Sequence, residues 1–387
     1  MDVGERSHSG IFATLGCTHG LALSKRDRTT CNISLKFGIA QQLEQMNLAQ
    51  TALHIDTHFN LNSNNPLKNA LQSADIIPQQ VMRLLAEDEQ RAIPAIAKDT
   101  KMMEQLLRCA QAMPSSHSVI LGDSRLMEAV PDESVHLVLT SPPYWTLKKY
   151  IGSEGQLGDI ADYESFLTEL DRVWQHVYRV LVPGGRLVIV VGDVCVSRRQ
   201  YGKHMVFPLH ASIQEHCRAI GFDNLAPIIW YKISNASLEA HGNGTSFLGK
   251  PYEPGGVIKN DIEFILMQRK SGGYRKPTIT MRTLSIIPEE LHRKWFQQIW
   301  DIKGASTRNH PAPFPLELAE RIIRMFSFVG DTVIDPFLGT GTTSLAASLW
   351  ARNSIGFEVE PVYHKMALKR LQELRATQLS LIDFEGA

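Results

Sequence analysis

The tetrapeptide Ser141-Pro142-Pro143-Tyr144 combines residue types that can hold an amino group. Its two prolines stiffen the segment and remove two N–H donors, so carbonyl oxygens stay open as hydrogen-bond acceptors. The Ser141 hydroxyl and the Pro142 carbonyl can accept the two protons of an amino group, which leaves its nitrogen lone pair directed at an electrophile. The Tyr144 ring offers a flat face for stacking on a nucleobase, worth roughly 1–3 kcal/mol. A proline-rich turn that carries a core tyrosine is the alternative.

A glycine-rich segment follows the short apolar run Thr332-Val333-Ile334 and reads Asp-Pro-Phe-Leu-Gly-Thr-Gly-Thr-Thr. Glycines let a backbone approach a ligand closely, and the N-terminus of the helix that follows offers N–H groups. Ser344 stands where a dinucleotide fingerprint has its third glycine, which disfavours a nicotinamide or flavin pyrophosphate site. A tight turn without a ligand is the alternative. The residues that this pattern assigns to a cofactor are Asp335, Pro336, Phe337, Gly339, Gly341, Thr342 and Thr343.

Two carboxylates stand at the ends of other predicted strands. Glu358 ends a short strand about 20 residues beyond the glycine loop, where a carboxylate in an α/β fold can accept both hydroxyls of a ribose. Asp123 follows Val119-Ile120-Leu121, where it can meet an adenine amino group. Acidic residues are also common at such positions without any ligand. We therefore predict Glu358, in preference to Glu360, and Asp123 as further cofactor contacts.

Short buried strands that alternate with helices must position these residues. The nearly continuous apolar runs 135–140 and 186–191 are typical of parallel strands covered on both faces. Helical spacing over 166–181 stops at Pro183-Gly184-Gly185, which predicts a βαβ unit and a doubly wound sheet. Between about 77 and 113 the apolar spacing predicts helices with a break near Pro94. Further strands are predicted at 225–232, 262–269 and 332–335, with a helix at 316–328.

The motifs in combination resemble the amino-methyltransferase family that acts on DNA. Ser-Pro-Pro-Tyr-Trp from Ser141, the glycine loop and Gly-Phe-Glu ending at Glu358 carry the resemblance. The catalytic motif precedes the cofactor loop by 191 residues, an order similar to the permuted β group of that family. The resemblance covers roughly Val119 to Arg370. The segment with His310, Phe314 and Pro315 resembles the family's element that closes over the methionine end of the cofactor.

The resemblance implies a Rossmann-like, circularly permuted α/β fold with a mixed seven-stranded sheet and S-adenosyl-L-methionine as cofactor. It implies double-stranded DNA as substrate, with the target base flipped out of the helix. Serine at position 141 resembles members that methylate cytosine N4, whereas members acting on adenine N6 more often carry aspartate there. Cytosine N4 is therefore favoured, with adenine N6 as the alternative. Methylation of a cytosine carbon needs a cysteine nucleophile, and no cysteine follows a proline here.

We expect the chain to divide into five segments. Residues 1–35 are expected to be a disordered tail, 36–117 a helical N-terminal lobe and 118–270 the catalytic half. Residues 271–308 are expected to form a small target-recognition insert and 309–387 the cofactor-binding half. Between Lys259 and Lys303 nine basic side chains outnumber five acidic ones, which indicates a modest basic patch, with an ordinary solvated surface as the alternative. The predicted DNA contacts are Lys148, Lys149, Arg269, Lys270, Arg275 and Lys276.

Composition limits the other possibilities. Lysine plus arginine and aspartate plus glutamate number 40 each, so global charge does not itself indicate nucleic-acid binding. The scattered cysteines predict no metal site, and the chain has no apolar run of the roughly 18 residues that a membrane span requires. We expect a cytoplasmic protein, with a cognate restriction endonuclease and a second copy of the chain as candidate partners. Methylation of RNA or protein, or an inactive DNA-binding regulatory module, are rival functions.

Overall fold

A nine-stranded sheet forms the centre of the part of the chain that the computed structural model describes. The described residues are 76–147, 155–196, 201–203, 205–232, 261–305 and 314–374, with the backbone alone at 54–56 and 375–383. The strand order is β1-β2-β11-β10-β3-β4-β8-β7-β9. The strands are β1 (His54–Asp56), β2 (Ser116–Leu121), β3 (Val135–Thr140), β4 (Leu181–Val191), β7 (Phe222–Tyr231), β8 (Ile262–Lys270), β9 (Ile299–Asp301), β10 (Thr332–Asp335) and β11 (Asn353–Glu358), and β5 (Val194–Val196) pairs separately with β6 (Met205–Phe207).

The sheet is mixed, as expected, because β8 runs antiparallel to both of its neighbours, β4 and β7. The other described pairs in this sheet are parallel. Seven strands, from β2 across to β7, make up the predicted mixed sheet, and the three-residue strands β1 and β9 extend its two edges. The seven-stranded expectation therefore holds for the centre of the sheet and misses the short edge strands.

Helices cover both faces of the sheet because alternate strand residues point to opposite sides. On one face Val138 and Leu187 pack with the helices Tyr163–Val180 and Leu209–Ile220. On the other face Leu137 and Val188 pack with the helices Leu316–Phe326 and Thr342–Leu349. The helices are α1 (Gln79–Glu87), α2 (Glu89–Lys98), α3 (Thr100–Ala112), α4 (Tyr163–Val180), α5 (Leu209–Ile220), α6 (Ile279–Leu284), α7 (Glu289–Trp295), α8 (Leu316–Phe326), α9 (Thr342–Leu349) and α10 (Pro361–Asp383).

The N-terminal helices α1 to α3 break at two aspartates, and the predicted break near Pro94 is wrong. Pro94 lies inside α2. Asp88 and Asp99 cap α2 and α3, because their carboxylates accept hydrogen bonds from the N–H groups of Arg91 and Met102. These caps satisfy helix N-termini and so set the boundaries that apolar spacing alone did not indicate.

The three N-terminal helices pack against the segment that follows β8. Their apolar faces share a core with Leu284 and Ile286, and Arg282 of α6 pairs with Glu89 of α2. Among the described helices none is long and apolar enough to cross a membrane. The described residues also hold no cluster of histidine, cysteine or carboxylate side chains that could bind a metal ion.

Candidate active site

Four parallel strands, in the order β2, β11, β10 and β3, end at the same edge of the sheet and place the predicted motifs beside one cleft. In α/β folds ligands bind at this carboxyl edge. The cleft is partly open to solvent, and about 630 Å³ of empty space, some of it solvent, lies between its walls. Ser141 after β3, Gly339 after β10, Glu358 at the end of β11 and Asp123 after β2 all line it. The fold therefore brings together residues that are up to 235 positions apart in the sequence.

The glycine loop adopts a backbone that side chains disfavour. Gly339 has φ +56° and Gly341 has φ +85°, which lie in the left-handed region. Gly341 also stands at the N-terminus of α9, and a Cβ there would lie 3.0 Å from the Ala367 Cβ. The loop lines the cleft through Pro336, Phe337 and Gly339. The loop backbone therefore favours glycine at both positions, and its close approach to a ligand stays a prediction.

The loop is also interlocked with β11. A Cβ added to Gly356 would lie 2.5 Å from the Leu338 Cδ2, so only glycine leaves room for that side chain. The Leu338 N–H donates to the Phe357 carbonyl at 2.9 Å. These contacts hold Leu338 in place and with it the neighbouring Gly339, which is the part of the loop that faces the cleft.

Asp335 lies beneath the loop and is 1% exposed. Its carboxylate accepts hydrogen bonds from the Thr140 hydroxyl at 2.6 Å, the Thr343 hydroxyl at 2.7 Å and the Phe337 N–H at 3.0 Å. Burial raises its pKa to about 6, and these three hydrogen bonds oppose that rise. The predicted direct contact with a cofactor does not match this arrangement, because both carboxylate oxygens are engaged inside the protein. Asp335 and Thr343 instead connect the loop to the end of β3.

Glu358 lines the cleft and is 8% exposed. Its Oε2 accepts the Gly339 N–H at 2.7 Å and its Oε1 accepts the Glu360 N–H at 2.8 Å. Burial raises its pKa to about 7, and the two backbone hydrogen bonds lower it in part. An ionised carboxylate has about four acceptor positions, so it can take two further donors. Glu358, which the sequence favoured over Glu360, therefore lies at the cleft wall with acceptor positions still open, and its contact with a ribose stays a prediction.

Asp123 also lines the cleft, but its carboxylate is paired with Arg125. The Arg125 Nε donates to Asp123 Oδ2 at 2.9 Å, and the Arg125 backbone N–H donates to Oδ1 at the same distance. Arg125 pairs in addition with Glu169 of α4. This cluster fixes the position of Asp123 at the cleft, and the role of Arg125 in it was not predicted from the sequence.

The tetrapeptide 141–144, predicted to be catalytic, presents one side to the cleft and the other to the core. Ser141 is half-buried, and Ser141 and Pro143 line the cleft. Tyr144 is only 6% exposed, so its ring is not the open stacking face that the sequence predicted. Its hydroxyl donates to the Glu263 Oε2 at 3.0 Å, and the Ser141 hydroxyl lies 3.4 Å from the Tyr144 hydroxyl. Tyr144 therefore combines a core position with a polar contact beside the cleft.

Neighbouring aromatic residues support this segment. Trp145 is 2% exposed, has φ +45° and donates from its indole N–H to the Ile160 carbonyl at 2.9 Å. Its ring packs edge-on against Tyr163 and Phe207, with centroids 5.2 and 4.8 Å away. These contacts fix the chain immediately after the catalytic tetrapeptide.

The described basic residues that were predicted to contact DNA lie away from the cleft. Antiparallel β8 brings Arg269 opposite Arg186 near the start of β4, whereas Glu263 lies near the carboxyl edge. Seven residues of strand separate Lys270 from Glu263, about 24 Å. The prediction for Lys270 is wrong, since it is 8% exposed and its ammonium group donates to the Leu181 carbonyl at 2.8 Å.

Three other predicted DNA contacts lie among the described residues. Arg269 pairs with Asp223 at 2.9 Å, and Arg275 pairs with the fully buried Asp331. Lys276 is exposed in the segment after β8. The prediction therefore does not describe a surface beside the cleft, because antiparallel pairing turned the end of β8 away from it. Lys148 and Lys149 lie outside the described residues.

The predicted lid over the cofactor is described only in part. His310 lies outside the described residues. Phe314 is 9% exposed and packs in the core beneath α8, and Pro315 precedes the first turn of that helix. Neither residue lines the cleft, so the structure does not bring them to the other cofactor residues. Thr342 is also buried, in the first turn of α9.

Several cleft residues were missed from the sequence. Gly155, Gln156 and Leu157 line the cleft from the segment before α4, and Tyr363 lines it from the first turn of α10. Glu263 was missed as well, although it contacts Tyr144. None of them belongs to a recognisable motif, because each reaches the cleft through pairing or packing of a distant element.

A sequence profile described as DNA methylase matches residues 135–369. The match spans both the catalytic tetrapeptide and the glycine loop. The chain belongs to the DNA methylase family. This family joins enzymes of the cytosine-N4 and adenine-N6 types, so membership leaves the two target bases open.

Proteins of similar sequence support the assignment to this family. The chain is 39% identical over 276 residues to the type II methyltransferase M.MjaI of Methanocaldococcus jannaschii, covering 64% of this chain and 88% of that protein. It is 33% identical over 284 residues to the type II methyltransferase M.MthZI of Methanothermobacter thermautotrophicus, covering 67% of this chain and 78% of the relative.

A solved structure agrees with the fold of this methylase. A protein of Thermus thermophilus, described as a candidate DNA modification methylase in complex with S-adenosyl-L-methionine, is 54% identical with a TM-score of 0.55. The match covers 66% of this chain and 93% of that one. The expected Rossmann-like methyltransferase fold is thus confirmed, as is the expected class of cofactor.

Proposed function

We propose that this methylase transfers a methyl group from S-adenosyl-L-methionine to the exocyclic N4 amino group of cytosine in double-stranded DNA. The observation that carries the proposal is the position of Ser141, whose hydroxyl lies at the wall of the cleft that Gly339 and Glu358 also line. A serine at this position resembles the cytosine-N4 members of the family. The two type II methyltransferases to which the chain is similar favour a role in a restriction-modification system.

The chemistry of the cleft wall fits the cofactor. The carboxylate of Glu358 has acceptor positions for the two hydroxyls of a ribose, and Asp123 offers an acceptor for an adenine amino group. Gly339 lines the wall without a side chain, on a backbone whose φ of +56° favours glycine. When bound, the cofactor supplies an electrophilic methyl group on a sulfonium sulfur.

On the other side of the cleft, the chain's own residues orient the amino group. The target base leaves the helix at a cost of a few kcal/mol, since its amino group cannot otherwise reach the cleft. The Ser141 oxygen and the Pro142 carbonyl accept its two N–H protons and leave the nitrogen lone pair aimed at the methyl group. The gain comes from proximity and alignment, with no covalent intermediate on the protein.

Recognition of the DNA sequence belongs, in this proposal, to the insert 271–308. Its described part carries α6, α7 and the edge strand β9, and it exposes Phe296 and Ile299 to 47% and 69%. The glycine-rich stretch 237–256, which lies outside the described residues, is proposed as a second contact loop. A separate restriction endonuclease and a second copy of the chain are the proposed protein partners.

Nucleoside mass spectrometry tests the function. Purified protein, duplex DNA and methyl-labelled S-adenosyl-L-methionine are expected to yield labelled N4-methylcytosine. N6-methyladenine as the sole product would overturn the choice of base. Label in RNA or protein in parallel reactions, with none in DNA, would overturn the substrate. Sequencing that reports methylated positions in DNA from cells expressing the chain identifies the recognition site.

A further inference from the structure

A line of polar side chains runs from the cleft into the sheet behind Tyr144. The Ser141 hydroxyl lies 3.4 Å from the Tyr144 hydroxyl, which lies 3.0 Å from Glu263 Oε2. The other oxygen of Glu263 pairs with the Lys232 ammonium group. The line therefore joins a residue of β8 and the residue after β7 to the serine at the cleft wall. Its members come from three separate segments of the chain.

The carboxylate at the centre of this line fixes the direction of each hydrogen bond. An ionised Glu263 can only accept, and Lys232 can only donate. The Tyr144 hydroxyl has one proton and two acceptors within reach, Glu263 at 3.0 Å and the Val190 carbonyl at 3.4 Å. Charge-assisted hydrogen bonds are roughly twice as strong as neutral ones, so the Tyr144 hydroxyl donates its hydrogen bond to Glu263 rather than to Val190.

The direction of the Tyr144–Glu263 hydrogen bond also sets the direction of the hydrogen bond between Ser141 and Tyr144 at the cleft. Because the Tyr144 hydroxyl donates to Glu263, its oxygen is left to accept a hydrogen bond from the Ser141 hydroxyl. The Ser141 oxygen in turn keeps its lone pairs for a donor in the cleft, which is what a target amino group supplies. The 3.4 Å separation is long, but hydrogen bonds at catalytic sites shorten when substrate binds.

We propose that Glu263, held by Lys232, is a positioning residue that makes the Ser141 oxygen an acceptor toward the target amino group. The inference rests on the proposed transfer to an exocyclic amino group and applies to either base. Packing supports the arrangement, because a Cβ at Gly192 would lie 3.3 Å from the Glu263 Cγ and 3.4 Å from the Tyr144 Cε2. A glycine at this point lets the two side chains meet beside β4.

The substitution Glu263→Gln tests the direction while keeping the shape. Lys232 can only donate, so it takes the amide oxygen and leaves the amide NH₂ facing Tyr144. The line can then run in reverse, so that the Tyr144 hydroxyl donates to the Ser141 oxygen and occupies one of the two lone pairs that could accept from the target amino group. We expect turnover to fall about 10- to 100-fold, with the KM for S-adenosyl-L-methionine within about twofold of wild type. Glu263→Asp keeps an acceptor-only carboxylate and is expected to lose less.

A second substitution distinguishes direction from general damage. In the double variant Lys232→Met, Glu263→Gln the amide can rotate and present its oxygen to Tyr144, so turnover is expected to rise at least about fivefold above Glu263→Gln. In Tyr144→Phe the line is already cut, and adding Glu263→Gln is expected to cost nothing more. Thermal unfolding of each variant checks that it is folded.

The control is the matched ion pair at the other end of the same two strands. Asp223→Asn breaks the pair with Arg269 on β7 and β8, far from the cleft, and is expected to leave turnover unchanged. Wild-type turnover in Glu263→Gln, or no recovery in the double variant, would overturn the inference. The base that wild-type protein methylates decides the proposed function separately, since every variant is compared on that same product.

Discussion

Buried carboxylates organise the cofactor side of the cleft, whereas packed rings and prolines organise the catalytic side. Asp335 and Glu358 each accept backbone N–H groups from the glycine loop, and burial raises the pKa of both. On the catalytic side Tyr144 and Trp145 are buried among apolar neighbours. The cofactor side thus depends mainly on hydrogen bonds to buried carboxylates, and the catalytic side depends mainly on packing, with the hydrogen bond from Tyr144 to Glu263 as its polar contact.

The comparison predicts that single substitutions separate the two sides. The largest effect is expected for Ser141→Ala, which removes an acceptor for the target amino group without disturbing the packed rings. Turnover should fall about 100- to 1,000-fold, by analogy with the loss of one stabilising group at other active sites. Single-turnover transfer of labelled methyl groups measures this, and calorimetry should find cofactor affinity within about twofold of wild type.

Asp335→Ala should affect the opposite property. It leaves the Thr140 and Thr343 hydroxyls and the Phe337 N–H without their acceptor, at about 1–3 kcal/mol for each group that stays unsatisfied. Cofactor affinity by calorimetry is expected to fall at least tenfold. Asp335→Asn keeps one acceptor oxygen and should lose less. Equal losses of cofactor affinity in Asp335→Ala and Ser141→Ala would contradict the division into two sides.

Gly356→Ala tests the interlock between the glycine loop and β11. The new methyl group would overlap Leu338 and displace it, at about 1–3 kcal/mol of unfolding free energy. Cofactor affinity should fall several-fold, since Gly339 moves with its neighbour. Urea unfolding and calorimetry measure the two effects. Retention of both at wild-type values would show that Leu338 can move without disturbing the loop.

The last prediction concerns the effect of pH on stability rather than on methyl transfer or cofactor binding. Folding raises the pKa of Glu358 from its ordinary value of 4.5 to about 7, so the folded state holds the proton more tightly than the unfolded state. The resulting stabilisation is complete below about pH 4.5 and is lost as pH rises toward 7. Urea unfolding of the cofactor-free protein should show this decline. Glu358→Gln is expected to reduce the decline, most clearly between about pH 6 and 7, because the raised pKa of Asp335, about 6, contributes a decline only at lower pH. An unchanged slope between about pH 6 and 7 would remove Glu358 as its source.

Much of the fold follows from local patterns in this chain. Continuous apolar runs indicated β3, β4 and β10 because strands covered on both faces need apolar residues at every position. The prediction of a break at Pro94 failed, because the proline removes only one N–H donor inside α2 and the aspartate caps decided the boundaries. The order of the motifs indicated the family without any structure.

Motif and spacing determined that Ser141, the glycine loop and Glu358 serve one site, because strands of one parallel sheet end at a common edge. Tertiary structure alone decided which of these groups face the cleft. Asp335 turned inward since its carboxylate is needed by Thr140 and Thr343. Lys270 lies at the opposite edge because β8 runs antiparallel. For the same reason Glu263, 119 residues after Tyr144, lies against its hydroxyl, and no local pattern could show that contact.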